Sequence, residues 1–276
     1  MTMDLLLFHS PTADRNTLGI EGASRLAEVL SDRISVAPIH IGKSGSLLHG
    51  DWHRQLMNTR PVLRQLGNTL SDTLDHDRFP ITVLPRCAAA LGTLPVIARH
   101  HPDAILLWLD AHGDLNTPRN SESGYLGGMV VSAAAGQWDS GLGTGWSLDR
   151  IILAGARALD PCERQLIDAG APKHVPPGTD FVERLLAMLG DVACYIHLDC
   201  DVLEPGHVPT EYASPGGITL ETLSTLFRHL SRNQQILGIQ VAEFESRWQE
   251  TSPLFDPSPL ASTLLAACPI HRWTGS

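Results

Sequence analysis

Six short apolar runs constrain this chain more than any other feature. They are Leu5–Phe8, Ile81–Leu84, Ile105–Leu109, Arg150–Ala154, Cys194–Leu198 and Ile236–Val241. A strand with one wet face alternates polar and apolar residues. Runs this continuous suit parallel strands covered on both faces. Stretches with helical spacing lie between them. Glu21–Leu30 and Pro61–Leu74 have the pattern, and Pro161 can open a helix as a first-turn proline that Gly170 closes. Thr219 can cap Leu220–Leu230, and Ser258 leads into Leu260–Ala267. The alternation predicts a three-layer α/β/α sandwich around a mostly parallel sheet. Without a linker, repeat or low-complexity segment, it predicts one catalytic domain over residues 1–276. The glycine-rich Ser140–Gly145 reads as a loop.

In open α/β sheets, ligands gather beyond the carboxyl ends of the strands. Two of the runs end directly in acids: Leu109 leads into Asp110-Ala-His112-Gly-Asp114, and Leu198 into Asp199-Cys-Asp201. Extended backbone sends residues i, i+2 and i+4 to one side. Asp110, His112 and Asp114 are therefore expected to converge, as are Asp199 and Asp201, with Cys200 facing away. Carboxylates crowded in this way repel one another unless cations sit between them. One D-x-D alone reads as a solvated turn, but two acidic clusters behind buried strands read as a metal centre. Five such side chains exceed the three protein ligands usual for a catalytic zinc. Two ions ~3.5–4 Å apart, sharing bridging carboxylates, fit better. An oxygen-rich set with one imidazole favours Mn2+.

Composition narrows the function classes. The formal charge of −10 argues against nucleic acid as a main partner, since phosphate binding needs a basic surface. It suits a cationic small molecule. Five cysteines without a C-x-x-C pair predict a reducing cytoplasm rather than a disulfide framework. The first residues lack the basic segment of a signal peptide, and no apolar stretch approaches the ~18 residues of a membrane span. Cys162, Cys194 and Cys268 read as packing residues, His197 as a core histidine, and His100 and His101 as loop residues.

The segments DAHGDLNTP (from Asp110) and DCDVLEP (from Asp199) resemble the two metal-binding motifs of the ureohydrolases, the arginase and agmatinase family. Glu243, in Val-Ala-Glu-Phe, resembles that family's later acidic segment. The resemblance spans nearly the whole chain and implies a dinuclear manganese hydrolase of guanidino compounds. It implies Cys87, Asp110, Asp114 and Asp199 around the first ion, and Asp110, His112, Asp199 and Asp201 around the second. Asp114 would orient the nucleophile and carry its proton, and Glu243 would stabilise the guanidino group. Asn116 and Ser123 match contacts to a substrate α-carboxylate, and Asp160 matches a contact to its α-amino group. Glu163 either assists or merely caps a helix. Relatives assemble as trimers or hexamers, so a homo-oligomer is compatible.

Two departures are informative. The family's G-G-D-H-S, whose His binds the first metal, corresponds to Leu84-Pro85-Arg86-Cys87-Ala88. A buried structural thiol is one reading of Cys87, and a nucleophile another. Its ligand position favours a thiolate ligand. That thiolate adds one negative charge more than two divalent ions neutralise, weakens the Lewis acidity of the first ion and softens its site towards zinc or iron. The second departure is Gly127, which stands where arginases carry a proton-shuttling His. His207 is a candidate replacement. One branch of the family combines these departures with amino-acid recognition. It splits Nω-hydroxy-L-arginine into hydroxyurea and L-ornithine during D-cycloserine biosynthesis. The expected activity is therefore hydroxyarginine hydrolysis. An arginase, guanidinobutyrase or formimidoylglutamase is the alternative within the class, and a catalytically silent amino-acid-binding relative the alternative outside it.

Overall fold

The computed structural model describes residues 2–233 and 236–269. Eight strands form one sheet: β1 Met3–Phe8, β2 Pro38–Ile41, β3 Phe79–Val83, β4 Ile105–Leu109, β5 Ile151–Ala154, β6 Lys173–Val175, β7 Cys194–Asp199 and β8 Ile236–Ala242. Their order across the sheet is β2-β1-β3-β8-β7-β4-β5-β6, and every pairing is parallel. Among the described residues seven helices connect them and an eighth follows β8: α1 Leu18–Ile34, α2 Trp52–Asp75, α3 Leu94–His100, α4 Val130–Ala134, α5 Pro161–Asp168, α6 Phe181–Leu189, α7 Leu220–Asn233 and α8 Ser258–Leu265.

The pleat divides each central strand between two cores. Leu107 and Leu109 of β4 pack with Leu26 of α1, Leu185 of α6, Phe227 of α7 and Leu260 of α8. Leu106 and Trp108 pack on the other side with Leu63 and Leu66 of α2 and Ile97 of α3. Every residue of β3, β4, β5 and β7 is buried, which is why these strands read as continuous apolar runs. The expected three-layer architecture is observed.

The pattern did not reveal β2 and β6. Both are short edge strands, and the exposed His40 and Lys173 interrupt their apolar character. Helix α2 starts nine residues before the expected Pro61, at Trp52. Asp51 caps it, accepting from the Arg54 N–H at 2.9 Å, and Pro61 lies inside the helix. Thr219 caps the start of α7 as expected, accepting from the Thr222 N–H at 3.1 Å.

The strand order fixes the site. Leu109 at the end of β4 pairs with Leu198 of β7, Asp199 pairs with Ala242 of β8, and Val241 pairs with Val83 of β3. The segments that follow these four strands therefore share one stretch of the sheet's carboxyl edge.

Candidate metal centre

The segment after β4 leaves the extended conformation. Asp114 has φ of +50°, in the left-handed region that disfavours a side chain. The expected convergence by simple alternation is thus incorrect in its mechanism. A network of hydrogen bonds gathers the residues instead. The Asp110 carboxylate accepts from the Trp108 indole N–H at 3.0 Å and from the His112 N–H at 2.6 Å. The Ala111 N–H donates to Asp201 Oδ1 at 2.9 Å, tying the two motifs together. His112 Nδ1 lies 2.9 Å from Asp201 and 3.4 Å from Asp110. Glu163 braces the loop by accepting from the Leu115 N–H at 2.9 Å and, as a helix cap, from the Asp160 N–H at 2.8 Å.

Cys87 opens the 3-10 turn Cys87–Gly92 that follows β3. Its Sγ lies 2.9 Å from Asp199 Oδ2 and 3.1 Å from His197 Nε2, and its N–H donates to Glu243 Oε1 at 2.7 Å. Glu243 is also left-handed, with φ of +62°. Its other oxygen accepts from Arg86 at 2.8 Å. Arg86 is fully buried and also pairs with Asp14, Glu211 and Glu245.

Among the described residues, three groups of donor atoms each lie within 4.8 Å of one another: Asp110, His112 and Asp201; Cys87, Asp199 and Glu243; and Cys87, Asp110 and His197. The two acids of the D-C-D segment thus enter different groups. Asp114 falls outside these sets but lines the same cavity.

The donor set suits divalent cations. Burial, reinforced by Asp201, raises the Asp110 carboxyl to about 6. Burial and neighbouring carboxylates push Asp114 and Asp199 well above the ordinary range. Burial disfavours the charge on His112, yet its hydrogen bonds to Asp110 and Asp201 push it up to about 12. Uncompensated carboxylates therefore press on the His112 imidazole in their midst. Divalent ions would relieve this directly.

A cavity of about 250 Å³ opens over these residues. Cys87, His112, Asp114, Asp199, Asp201 and Glu243 line its floor, and Asn116, Ser123 and Asp160 also reach it. The Asn116 amide donates to Asp160 Oδ2 at 2.7 Å, so the three residues expected to meet a substrate lie together. His207 does not line the cavity, and this corrects its reading as a shuttle. Gly127 does line it. Cys162 is not simply a packing residue, since its thiol lies 3.1 Å from Asn116 Oδ1.

Sequence reasoning missed Arg15, Tyr125 and Tyr212 at the pocket, Arg86 beneath it, and the role of His197. His197 is buried in β7, as expected, but it also touches Cys87. A signal was available, because His197 precedes Asp199 by two residues and alternation puts both on one face of β7. Nothing local marked Arg15 or Tyr212, which approach the site through the tertiary fold.

A family model described as the arginase family matches residues 19–272. The N(omega)-hydroxy-L-arginine amidinohydrolase of Streptomyces lavendulae is 36% identical over 244 residues, covering 88% of this chain and 89% of that protein. The arginase of Bacillus caldovelox is 28% identical over 253 residues, covering 84% and 83%. The native structure of a Bacillus caldovelox arginase superposes with a TM-score of 0.82 at 22% identity, covering 97% of this chain and 98% of that one. A putative agmatinase from Clostridium difficile gives 0.71 at 17% identity, covering 96% and 95%.

Proposed function

The chain belongs to the arginase family, a family of hydrolases of guanidino compounds, and from that premise we propose that it cleaves Nω-hydroxy-L-arginine to hydroxyurea and L-ornithine. The observation that carries this reading is the sulfur of Cys87, 2.9 Å from Asp199 inside an otherwise carboxylate-rich donor set. The similarity to the Streptomyces enzyme supports it over most of the chain.

Cys87, Asp110, His112, Asp114, Asp199 and Asp201 would hold two divalent ions, and the predominance of oxygen donors favours manganese. When bound, such a pair supplies Lewis acidity and lowers the pKa of water towards neutrality. Asp114 takes the proton of the attacking water as its oxygen bonds to the guanidino carbon. It then returns that proton to the ornithine nitrogen as the carbon–nitrogen bond breaks. Glu243 offers negative charge to the guanidino group, tempered by Arg86. A less basic N-hydroxyguanidine, more often neutral, makes a smaller demand on that charge than arginine does. Asn116 and Ser123 receive the α-carboxylate, assisted by the cation of Arg15 at the mouth, and Asp160 receives the α-amino group.

The same reading takes the chain as one catalytic domain, compatible with a homo-oligomer, acting in the cytoplasm to supply hydroxyurea for D-cycloserine. Among the described residues, no helix is long and apolar enough to cross a membrane. The test compares kcat/KM for Nω-hydroxy-L-arginine, L-arginine, agmatine and formiminoglutamate on protein of measured metal content. Hydroxyarginine is expected to be the best substrate at about two metals per chain. Preference for another member of the series would assign the activity to it. A fully loaded protein that releases no product would favour the silent amino-acid-binding alternative.

A further inference from the structure

Tyr125 carries a polar atom for which the described residues supply no partner. It lies in the loop between β4 and α4 and lines the cavity with Cys87, Asp114, Asn116 and Glu243. Its hydroxyl is buried and makes no hydrogen bond among the described residues. Buried hydroxyls are almost always paired, so an orphan on a residue that lines a cavity points to water or ligand.

The ring around that hydroxyl is fixed. A Cβ built on Gly127 would lie 2.4 Å from Tyr125 Cε1 and 3.0 Å from Cζ. The phenol therefore fills the space that a side chain at residue 127 would need. Tyr212 packs against it with centroids 5.2 Å apart, and the Arg15 guanidinium lies 5.3 Å from both ring centres. Burial, with Glu243 adding to it, holds the phenol well above its ordinary pKa, so it remains protonated. The neighbouring carboxylate of Glu243 is already engaged by Arg86 and the Cys87 N–H.

We propose that Tyr125 determines specificity by hydrogen-bonding, through its hydroxyl, the hydroxyl on the terminal nitrogen of an N-hydroxyguanidino substrate. This rests on the functional reading above. A substrate hydroxyl both donates and accepts, and extends one atom beyond the terminal nitrogen. Arginine ends at that nitrogen and leaves the phenol without its partner. Sites that pair a substrate hydroxyl reject the analogue lacking it, because their own polar group is then stranded.

The test is Tyr125→Phe in the manganese-loaded enzyme. Because the hydroxyl has no protein partner, its removal should leave the fold and metal content intact, as circular dichroism and elemental analysis would check. The ratio of kcat/KM for Nω-hydroxy-L-arginine to that for L-arginine is expected to fall about tenfold or more. The preference for hydroxyurea over urea as a product inhibitor should fall with it. A purely structural role would lower both substrates together and leave the ratio alone. Gly127→Ala, which displaces the ring while keeping the phenol, should lower the ratio in the same way. A wild-type ratio retained in both variants, with unchanged product inhibition, overturns the proposal. A wild-type enzyme inactive on both substrates removes the functional reading and this inference together, and is recognised without any variant.

Discussion

At Cys87, a sulfur lies between a carboxylate and an imidazole, and the hydrogen bonds around it assign the protons. Gln240 Oε1 accepts from the Thr93 hydroxyl at 2.7 Å and from the Tyr195 hydroxyl at 3.1 Å, which orients the amide. Its Nε2 therefore donates to His197 Nδ1 at 2.7 Å. Burial keeps His197 neutral, so its one proton sits on Nε2 and points at the Cys87 sulfur. Trp108, stacked on His197 with centroids 3.5 Å apart, fixes the ring plane. The N–H bond from His197 favours the thiolate, the form that binds metal, whereas burial and the carboxylates of Asp199 and Glu243 push the thiol well above its ordinary pKa, so that it donates to Asp199 until an ion displaces the proton. Cys87→Ser is expected to lower metal content and activity together, and to abolish the sulfur-to-metal charge-transfer absorption of the cobalt-substituted protein. Wild-type occupancy and an unchanged spectrum would make Cys87 a bystander. At this scale the aspartates and His112 were legible because their motifs are local. The contacts of Cys87 with His197 and Glu243 were not, because these residues arrive from β7 and from the end of β8.

Between elements, close backbone approach matters more than propensity. A Cβ on Gly22 of α1 would lie 2.1 Å from the carbonyl oxygen of Phe244, the residue after Glu243. Helix α1 therefore packs directly on the loop that presents this carboxylate. Gly22→Ala should destabilise the protein by about 1–3 kcal/mol through overpacking, read from a urea unfolding curve. Activity should fall as well, because the displaced loop carries Glu243. Stability and rate equal to wild type would mean that the loop yields without consequence. Alternation and caps identified the six central strands and most helix positions. The same signals failed for β2 and β6, whose outer sides meet solvent rather than another strand, and for the start of α2, where a polar first turn precedes the apolar face of Leu56, Leu63 and Leu66.

For the whole molecule, crowding acids at one sheet edge couples stability to pH and metal. The folded Asp110 carboxyl is raised from an ordinary 3.8 to about 6, so the metal-free fold holds that proton more tightly than the unfolded chain. The stabilisation this provides is complete below the ordinary value and is lost as pH rises through about 6. Asp114 and Asp199, also raised well above the ordinary range, add to the loss in the same direction. Ions bind the deprotonated carboxylates and reverse the loss. The rise in Tm on adding manganese should therefore be larger at about pH 8 than at about pH 5, measured by thermal denaturation with and without the ion. An equal or larger rise at the lower pH would contradict this account of the site.

By itself the sequence determined the layered α/β architecture and the principal metal-ligating candidates. Both are written locally, in the continuity of buried strands and in acids placed directly behind them. Only the tertiary structure decided what surrounds those acids: the imidazole on Cys87, the arginine that engages Glu243, and the unpaired phenol over Gly127. These contacts join residues far apart along the chain, and parallel crossovers alone bring them together at one edge of the sheet.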